Sequence, residues 1–475
     1  MVFNSLQFAL FFPIVYLLYL LLRHRWQNRM LLVASCIFYG AWDWRFLALM
    51  FVSITTDFFC AQGIFRSSDT YVRKLFLVIN FIVSLGILGF FKYFNFFAAN
   101  LENLLSIGGM HLHHSVLKII LPVGISFYTF QAMSYVFDVY RNKLVPVTSY
   151  RDYALFVTYF PHLVAGPIMK ARDLLPQVLN PRVVSWEKFY GGCYLIGWGL
   201  FQKMFVADNL AKIVDPVFAG HLPYHGTMVL VAVYAFAFQI YCDFAGYSNM
   251  ARGLGRLMGF EIMINFNNPY FSRNPREFWQ RWHISLSTWL KDYLYIPCGG
   301  SQGGRLATYW NIFITMLIGG LWHGANWTYV FWGAYHGVLL ILHRIFQPLG
   351  QVLARVVGRM GDRVLQMISA LIMFHCVCLG WLFFRASSFQ QAWDMLYALG
   401  WNIVPTIREA RPYFLWLAFL IFVLGIVEIA QRWSNDQDIV RRWPLVFRFW
   451  LYVVVLYLWL IWGQYGGHEF IYFQF

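Results

Sequence analysis

Residues 311–344 read NIFITMLIGGLWHGANWTYVFWGAYHGVLLILHR, two apolar runs joined through a histidine set among glycines. The runs at 308–321 and 328–342 are free of charged residues, and His323 falls between them beside Gly319, Gly320 and Gly324. An ionisable side chain in such apolar surroundings is costly and points to function. The glycines let a second backbone or a flat ligand approach the imidazole closely.

Composition extends this reading to the whole chain. Of 475 residues, 60% are hydrophobic, 21% aromatic and only 12% charged, about half the charged fraction of an ordinary soluble domain. At roughly 20 apolar residues per crossing, there is room for about ten or more helices, so the fold class is an all-α polytopic membrane protein. The net charge of +15 fits cytoplasmic loops meeting anionic headgroups, and no nucleic-acid-binding motif accompanies it. The seven cysteines form no CxxC pair and no metal-ligand spacing. The first apolar run, 6–22, lacks a preceding basic segment and a following Ala-x-Ala site, so it reads as a retained helix.

Arg23, His24, Arg25 and Arg29 follow the first run, and Arg432, Arg441, Arg442 and Arg448 precede the last. The positive-inside rule places both loops in the cytoplasm, and hence the N-terminus and the tail outside it, with an even number of crossings. Pro122, Pro161 and Pro167 interrupt the runs in the middle of the chain. Broken backbone at membrane depth must be covered by protein or line a wet cavity, which places a site there.

The polar anomaly is 265–305, NFNNPYFSRNPREFWQRWHISLSTWLKDYLYIPCGGSQGGR. Its charges, Arg273, Arg276, Glu277, Arg281, Lys291 and Asp292, alternate with aromatic residues. Two readings stand: an interfacial amphipathic helix with an aromatic belt, or the lining of a reaction cavity containing His283. His283, His323 and His336 lie in neighbouring hydrophobic segments. A zinc site would want more ligands at close spacing; the 13 residues between His323 and His336 span roughly 20 Å of unbroken helix. General-base chemistry needs no such convergence, since a neutral imidazole can take a proton from a hydroxyl. Asp138, Asp243 and Asn249 are further polar residues in apolar runs, and Asp243 is expected to pair with Arg252 or Arg256. HLHH at 111–114 is expected to be a solvated loop.

Several stretches together resemble the membrane-bound O-acyltransferases, specifically their bacterial, alginate O-acetyltransferase-like branch. They are LPVGISFYTFQAMSYVFDVYR at 121–141, YFPHLVAGPIMKA at 159–171, YCDFAGYSNMARGLG at 241–255, the stretch 265–300, MLIGGLWHGANWTYVFWGAYHG at 316–337 and WLFFRA at 381–386. FWQRWHISLSTWL followed by GGLWHGANW is the most specific combination. The resemblance implies about 11–13 transmembrane or half-membrane helices around a central funnel. It divides one membrane domain, 1–475, into peripheral helices at 1–110, a catalytic core at 111–345, and C-terminal helices with an extracytoplasmic tail at 346–475.

It also implies a catalytic histidine at His323. A second polar position falls at His283, which is histidine in this branch and asparagine in many eukaryotic members. The activity implied is O-acetylation of an extracytoplasmic polysaccharide (alginate, cellulose or peptidoglycan) in a bacterial inner membrane, through an SGNH-type acetyltransferase partner. Acetyl-CoA would be the donor substrate, with no cofactor and no metal. Candidate donor contacts are Arg273, Arg276, Arg281 and Lys291, joined by Trp282 and Asn326. The tail, HEFIYFQF at 468–475, is similar to the C-terminal motif of a small partner in teichoic-acid D-alanylation, which makes Tyr472 a candidate acyl relay; the plain alternative is an interfacial anchor. Carrier-protein-dependent D-alanyl transfer is the related alternative activity. A polysaccharide or lipid-linked-sugar transporter and a non-catalytic scaffold are the alternatives from other classes; a transporter often shows an internal repeat, and none is evident.

Overall fold

Apolar runs with no water to satisfy their backbone must bond internally, and they do so as helices. The computed structural model describes residues 1–110, 117–164, 166–220, 224–401, 407–466 and 470–471, and no strand occurs among them. Six helices among the described residues are long and apolar enough to cross a membrane: Arg45–Arg66, Thr70–Ile107, Gly226–Leu257, Arg363–Arg385, Ile407–Ser434 and Leu445–Trp462. The first run, Leu6–Leu21, is a shorter apolar helix. The last, Leu445–Trp462, buries only Leu458, as a helix facing lipid does.

Gly226–Leu257 is the central element. It is apolar nearly all round and buried along most of its length, as such helices must be. Helix Trp186–Leu200 and its continuation lie against it through small residues: a Cβ added at Gly199 would stand 2.5 Å from the carbonyl oxygen of Gly246. Any side chain there would push the pair apart.

The basic loops converge on one end of the bundle. Arg182 donates to the Tyr19 hydroxyl at 2.8 Å and to Asn28 Oδ1 at 2.8 Å. Gln177 links that loop to Glu261, Arg256 pairs with both Glu261 and Asp438, and Arg432 reaches Glu277. The loop after the first helix, the loop before the last and the polar 265–305 stretch therefore share one face, the basic end.

Breaks fall where the prolines stand. Residues 117–124 and 166–170 are non-helical around Pro122 and Pro167, and Pro161 opens the four-residue helix Phe160–Leu163. Three further irregularities carry no proline: wide π-helical turns at Gly89–Tyr93, Phe201–Ala207 and Lys291–Tyr295, each holding a lysine. Such turns cluster at functional sites.

Candidate active site

The stretch around His323 folds as a helical hairpin. Gly304–His323 ends at the histidine, three residues turn, and Trp327–Arg385 runs back alongside. Gly320 makes the close crossing: a Cβ there would meet the carbonyl oxygen of Tyr329 at 2.3 Å and Cα of Gly333 at 2.9 Å. Gly320 thus admits a backbone, while Gly319 and Gly324 make room for the Leu290 and Tyr329 side chains. The fold-back also brings His323 and His336 onto one tryptophan, with ring centroids 5.0 and 4.9 Å from Trp332. Among the described residues, no group of three His, Cys, Asp or Glu side chains is placed to hold a metal ion.

Lys92 fixes the end of the His323 helix. Its Nζ donates to the carbonyls of Trp322 at 2.7 Å and His323 at 3.0 Å, while the Tyr93 hydroxyl takes that of Leu321 at 2.8 Å. Carbonyls of a last turn lack intrahelical partners, and here side chains from the Gly89–Tyr93 turn supply them. The imidazole packs against Trp322, Trp332 and Phe384.

His283 stands in the turn between helices Pro275–Arg281 and Ile284–Leu290, with φ +42°. Left-handed backbone at a residue other than glycine is uncommon, and strain of this kind gathers at functional sites. Its Nδ1 lies 3.3 Å from Asn265 Oδ1, which also accepts from the Ser285 N–H at 3.1 Å and hydroxyl at 2.9 Å. With the amide oxygen as acceptor, the imidazole proton sits on Nδ1 and Nε2 carries the lone pair. The His283 and His323 rings are 6.4 Å apart, so one small reacting group can touch both.

Two approaches lead toward this pair. At the basic end, a cleft of about 680 Å³ is lined by Arg276, Gln280, Lys291, His343, Arg344 and Gln347 among others. It opens into a second of about 940 Å³ with which it shares Arg276, Gln280, His343 and Gln347. From the opposite end, a cavity of about 40 Å³ reaches His323 between Lys92, Pro122, Ser126, Phe127 and Trp322. The cleft and this cavity share no lining residue. An aromatic layer lies between, with Trp279 5.6 Å from Trp332 and Trp332 against His323.

The other residues singled out from the sequence divide sharply. Arg273 and Arg281 line the wider cleft but are tied to Glu277, each at 3.1 Å, together with Arg432 at 3.2 Å. Burial disfavours the Glu277 carboxylate, yet the Arg273 N–H and the guanidinium groups outweigh it and hold the carboxyl below the ordinary glutamate range. Arg276 and Lys291 line the cleft and have no ion-pair partner among the described residues. Trp282 is fully buried against Phe266, Phe278 and Trp381, beneath His283 and outside the cleft lining. Asn326 caps the returning helix through the Thr328 N–H and donates to the Ser387 carbonyl, at the end away from the cleft.

Asp243 pairs with Lys203 at 2.6 Å, not with Arg252 or Arg256. The continuous helix puts Arg252 about 14 Å along the axis from Asp243, and Arg256 is engaged by Asp438 and Glu261. Tyr472 and the HLHH stretch lie outside the described residues. Lys92, Lys203 and Asn265 were not singled out from the sequence, nor were His343 and Arg344, although the last two stand in the quoted hairpin.

A sequence model of the MBOAT, membrane-bound O-acyltransferase family, matches residues 76–352. The probable alginate O-acetylase AlgI of Pseudomonas aeruginosa is 44% identical over 402 residues, 84% of this chain and 75% of the relative. The peptidoglycan O-acetyltransferase of Helicobacter pylori is 34% identical over 417 residues, 81% of this chain and 77% of the relative. The teichoic acid D-alanyltransferase of Bacillus subtilis is 26% identical over 299 residues, 58% of this chain and 72% of the relative. With that match across the histidine hairpin and the polar stretch, the chain belongs to the membrane-bound O-acyltransferase family and is a multi-pass membrane O-acyltransferase.

Proposed function

We propose that the protein is a bacterial inner-membrane O-acetyltransferase that takes acetyl groups from cytoplasmic acetyl-CoA. It passes them outward, through an extracytoplasmic SGNH-type acetyltransferase, to a polysaccharide such as alginate, cellulose or peptidoglycan. The observation that carries the reading is the position of the histidine pair, between a basic cleft at one end of the bundle and a cavity from the other. The excess of Lys and Arg at the cleft end supports a cytoplasmic assignment of that end. The relatives acetylating alginate and peptidoglycan supply the acceptor class.

In this reading an acceptor hydroxyl attacks the thioester carbonyl while His323 takes its proton. The C–O bond forms, the carbonyl oxygen becomes an oxyanion beside His283, and collapse breaks the C–S bond. The His323 proton then goes to the departing thiolate, so no net proton is released. Tyr472 is the proposed acceptor: its phenol loses the proton to His323, and the aryl ester hands acetyl to a serine of the partner. Tyr472→Phe keeps the ring and removes only the hydroxyl, and is expected to abolish polymer acetylation. Survival of acetylation, or intact-protein mass spectra without acetyl on the tail, makes the tail an anchor.

Arg276 and Lys291 are the proposed phosphate contacts for CoA. Replacing both by Glu is expected to raise KM for acetyl-CoA at least about tenfold, given the 1.5–3 kcal/mol of a charge-assisted hydrogen bond, with kcat little changed. Unaltered KM leaves them as headgroup anchors.

The reading as a whole is tested by reconstituting the purified protein in liposomes with its partner and following label from acetyl-CoA to polysaccharide. Transfer from a D-alanyl carrier protein in place of acetyl-CoA identifies the related activity. Movement of unmodified glycan across the bilayer with no acetyl transfer identifies a transporter.

A further inference from the structure

We propose that the buried Lys203–Asp208–Asp243 cluster is a seat for the C-terminal segment of the chain, holding residues 470 and 471 as part of the wall beside His283. The three side chains are almost wholly removed from solvent. Lys203, on the wide turn Phe201–Ala207, is 2.8 Å from Asp208 and 2.6 Å from Asp243. Two carboxylates around one ammonium leave acceptor capacity over, and Asp243 spends it on a distant part of the chain. Its Oδ2 accepts the backbone N–H of Ile471 at 2.7 Å.

The neighbouring Phe470 is fully buried, its ring 5.4 Å from Phe244 and 4.8 Å from Tyr247. Phe244 in turn stands edge-on to His283 at 4.6 Å. Before it in the chain, Gln464 donates from its N–H to the Met204 carbonyl at 2.9 Å and from its side chain to Asn209 at 3.0 Å, and Asn209 donates to the Trp462 carbonyl at 2.7 Å. Trp462 and Gln464 therefore lie against the Lys203 turn and the helix that follows it. A buried ion cluster is weak evidence for stability; an oriented carboxylate that fixes one backbone amide is a positioning device. Lys203, Asp208 and Asp243 are positioning residues, acting through the tail and through Phe244 on the space beside His283.

The inference rests on the proposed function only for what the seated tail is used for. Hydrogen–deuterium exchange on the full chain tests the seat itself. The Ile471 amide is expected to exchange slowly, and Asp243→Ala to speed it at least about tenfold, since hydrogen bonds to charged groups carry about 1.5–3 kcal/mol. Ile471→Pro removes the same N–H while leaving the Lys203, Asp208 and Asp243 side chains in the sequence, and decides the matter where Asp243→Ala does not fold. It is expected to lower acetyl transfer at least about tenfold at unchanged KM for acetyl-CoA, with recovery in Ile471→Val, which restores the donor. An Ile471 amide that exchanges equally fast with and without Asp243, or a wild-type transfer rate in Ile471→Pro, overturns the proposal. His323→Ala run alongside separates the two ideas: full transfer there refutes the active-site reading, whereas tail protection reports on the seat alone.

Discussion

His323→Ala is expected to reduce acetyl transfer by about a thousandfold, within the 10²–10⁴ that a positioned acid–base group contributes. His323 is the histidine that lines the cavity reached from the end opposite the cleft, and its backbone is pinned by Lys92. The ring is enclosed by Trp322, Trp332 and Phe384, so bulk water has little access with which to replace its proton transfer. Truncation also leaves a hole among those aromatics, and large-to-small changes in a packed core cost stability. Donor binding distinguishes the two effects, because the basic cleft shares no lining residue with the His323 cavity. A folded variant should bind acetyl-CoA with wild-type affinity and fail in single-turnover transfer. Transfer at the wild-type rate would remove His323 from the chemistry.

Much of this architecture is legible in the sequence because its causes are local. Apolar runs without charge state that the chain lives in lipid, Pro122, Pro161 and Pro167 state where helices break, and the glycines around His323 state that something comes close. What comes close is Gly333, which the spacing alone did not say. Part of the Glu277 cluster is legible too, since Arg281 stands four residues along the same helix and i,i+4 neighbours meet there; Arg273 stands ahead of the helix cap and reaches Glu277 by its N–H and guanidinium, and Arg432 arrives only through tertiary packing. Lys92 and Lys203 carried no such signal. Each sits on a wide turn that hydrophobic periodicity does not mark, and each reaches far along the chain: Lys92 to the end of the His323 helix, Lys203, besides its near neighbour Asp208, to an aspartate on the central helix. Asp243 pairs with Lys203 and with neither arginine near it in sequence, because Arg252 and Arg256 lie along its own helix and too far up the axis.

His283→Ala is expected to cost about a hundredfold to a thousandfold in kcat, the loss seen when one donor to a developing oxyanion is removed. Asn265 holds the imidazole by Nδ1, so Nε2 is the nitrogen turned to the reaction. For it to donate to the oxyanion, the ring must take the Nε2–H tautomer, with Nδ1 accepting from the Ser285 hydroxyl 3.5 Å away in place of donating to Asn265. The backbone sharpens the test. At φ +42° alanine is strained, whereas asparagine is among the residues that tolerate the left-handed region and brings its own amide donor. His283→Asn is therefore expected to keep more activity than His283→Ala, with thermal stability closer to wild type. If both variants turn over at the wild-type rate, the imidazole is a packing group in the wall and the oxyanion is stabilised elsewhere. If the alanine variant alone loses activity while melting at the wild-type temperature, the donor and not the turn accounts for the loss.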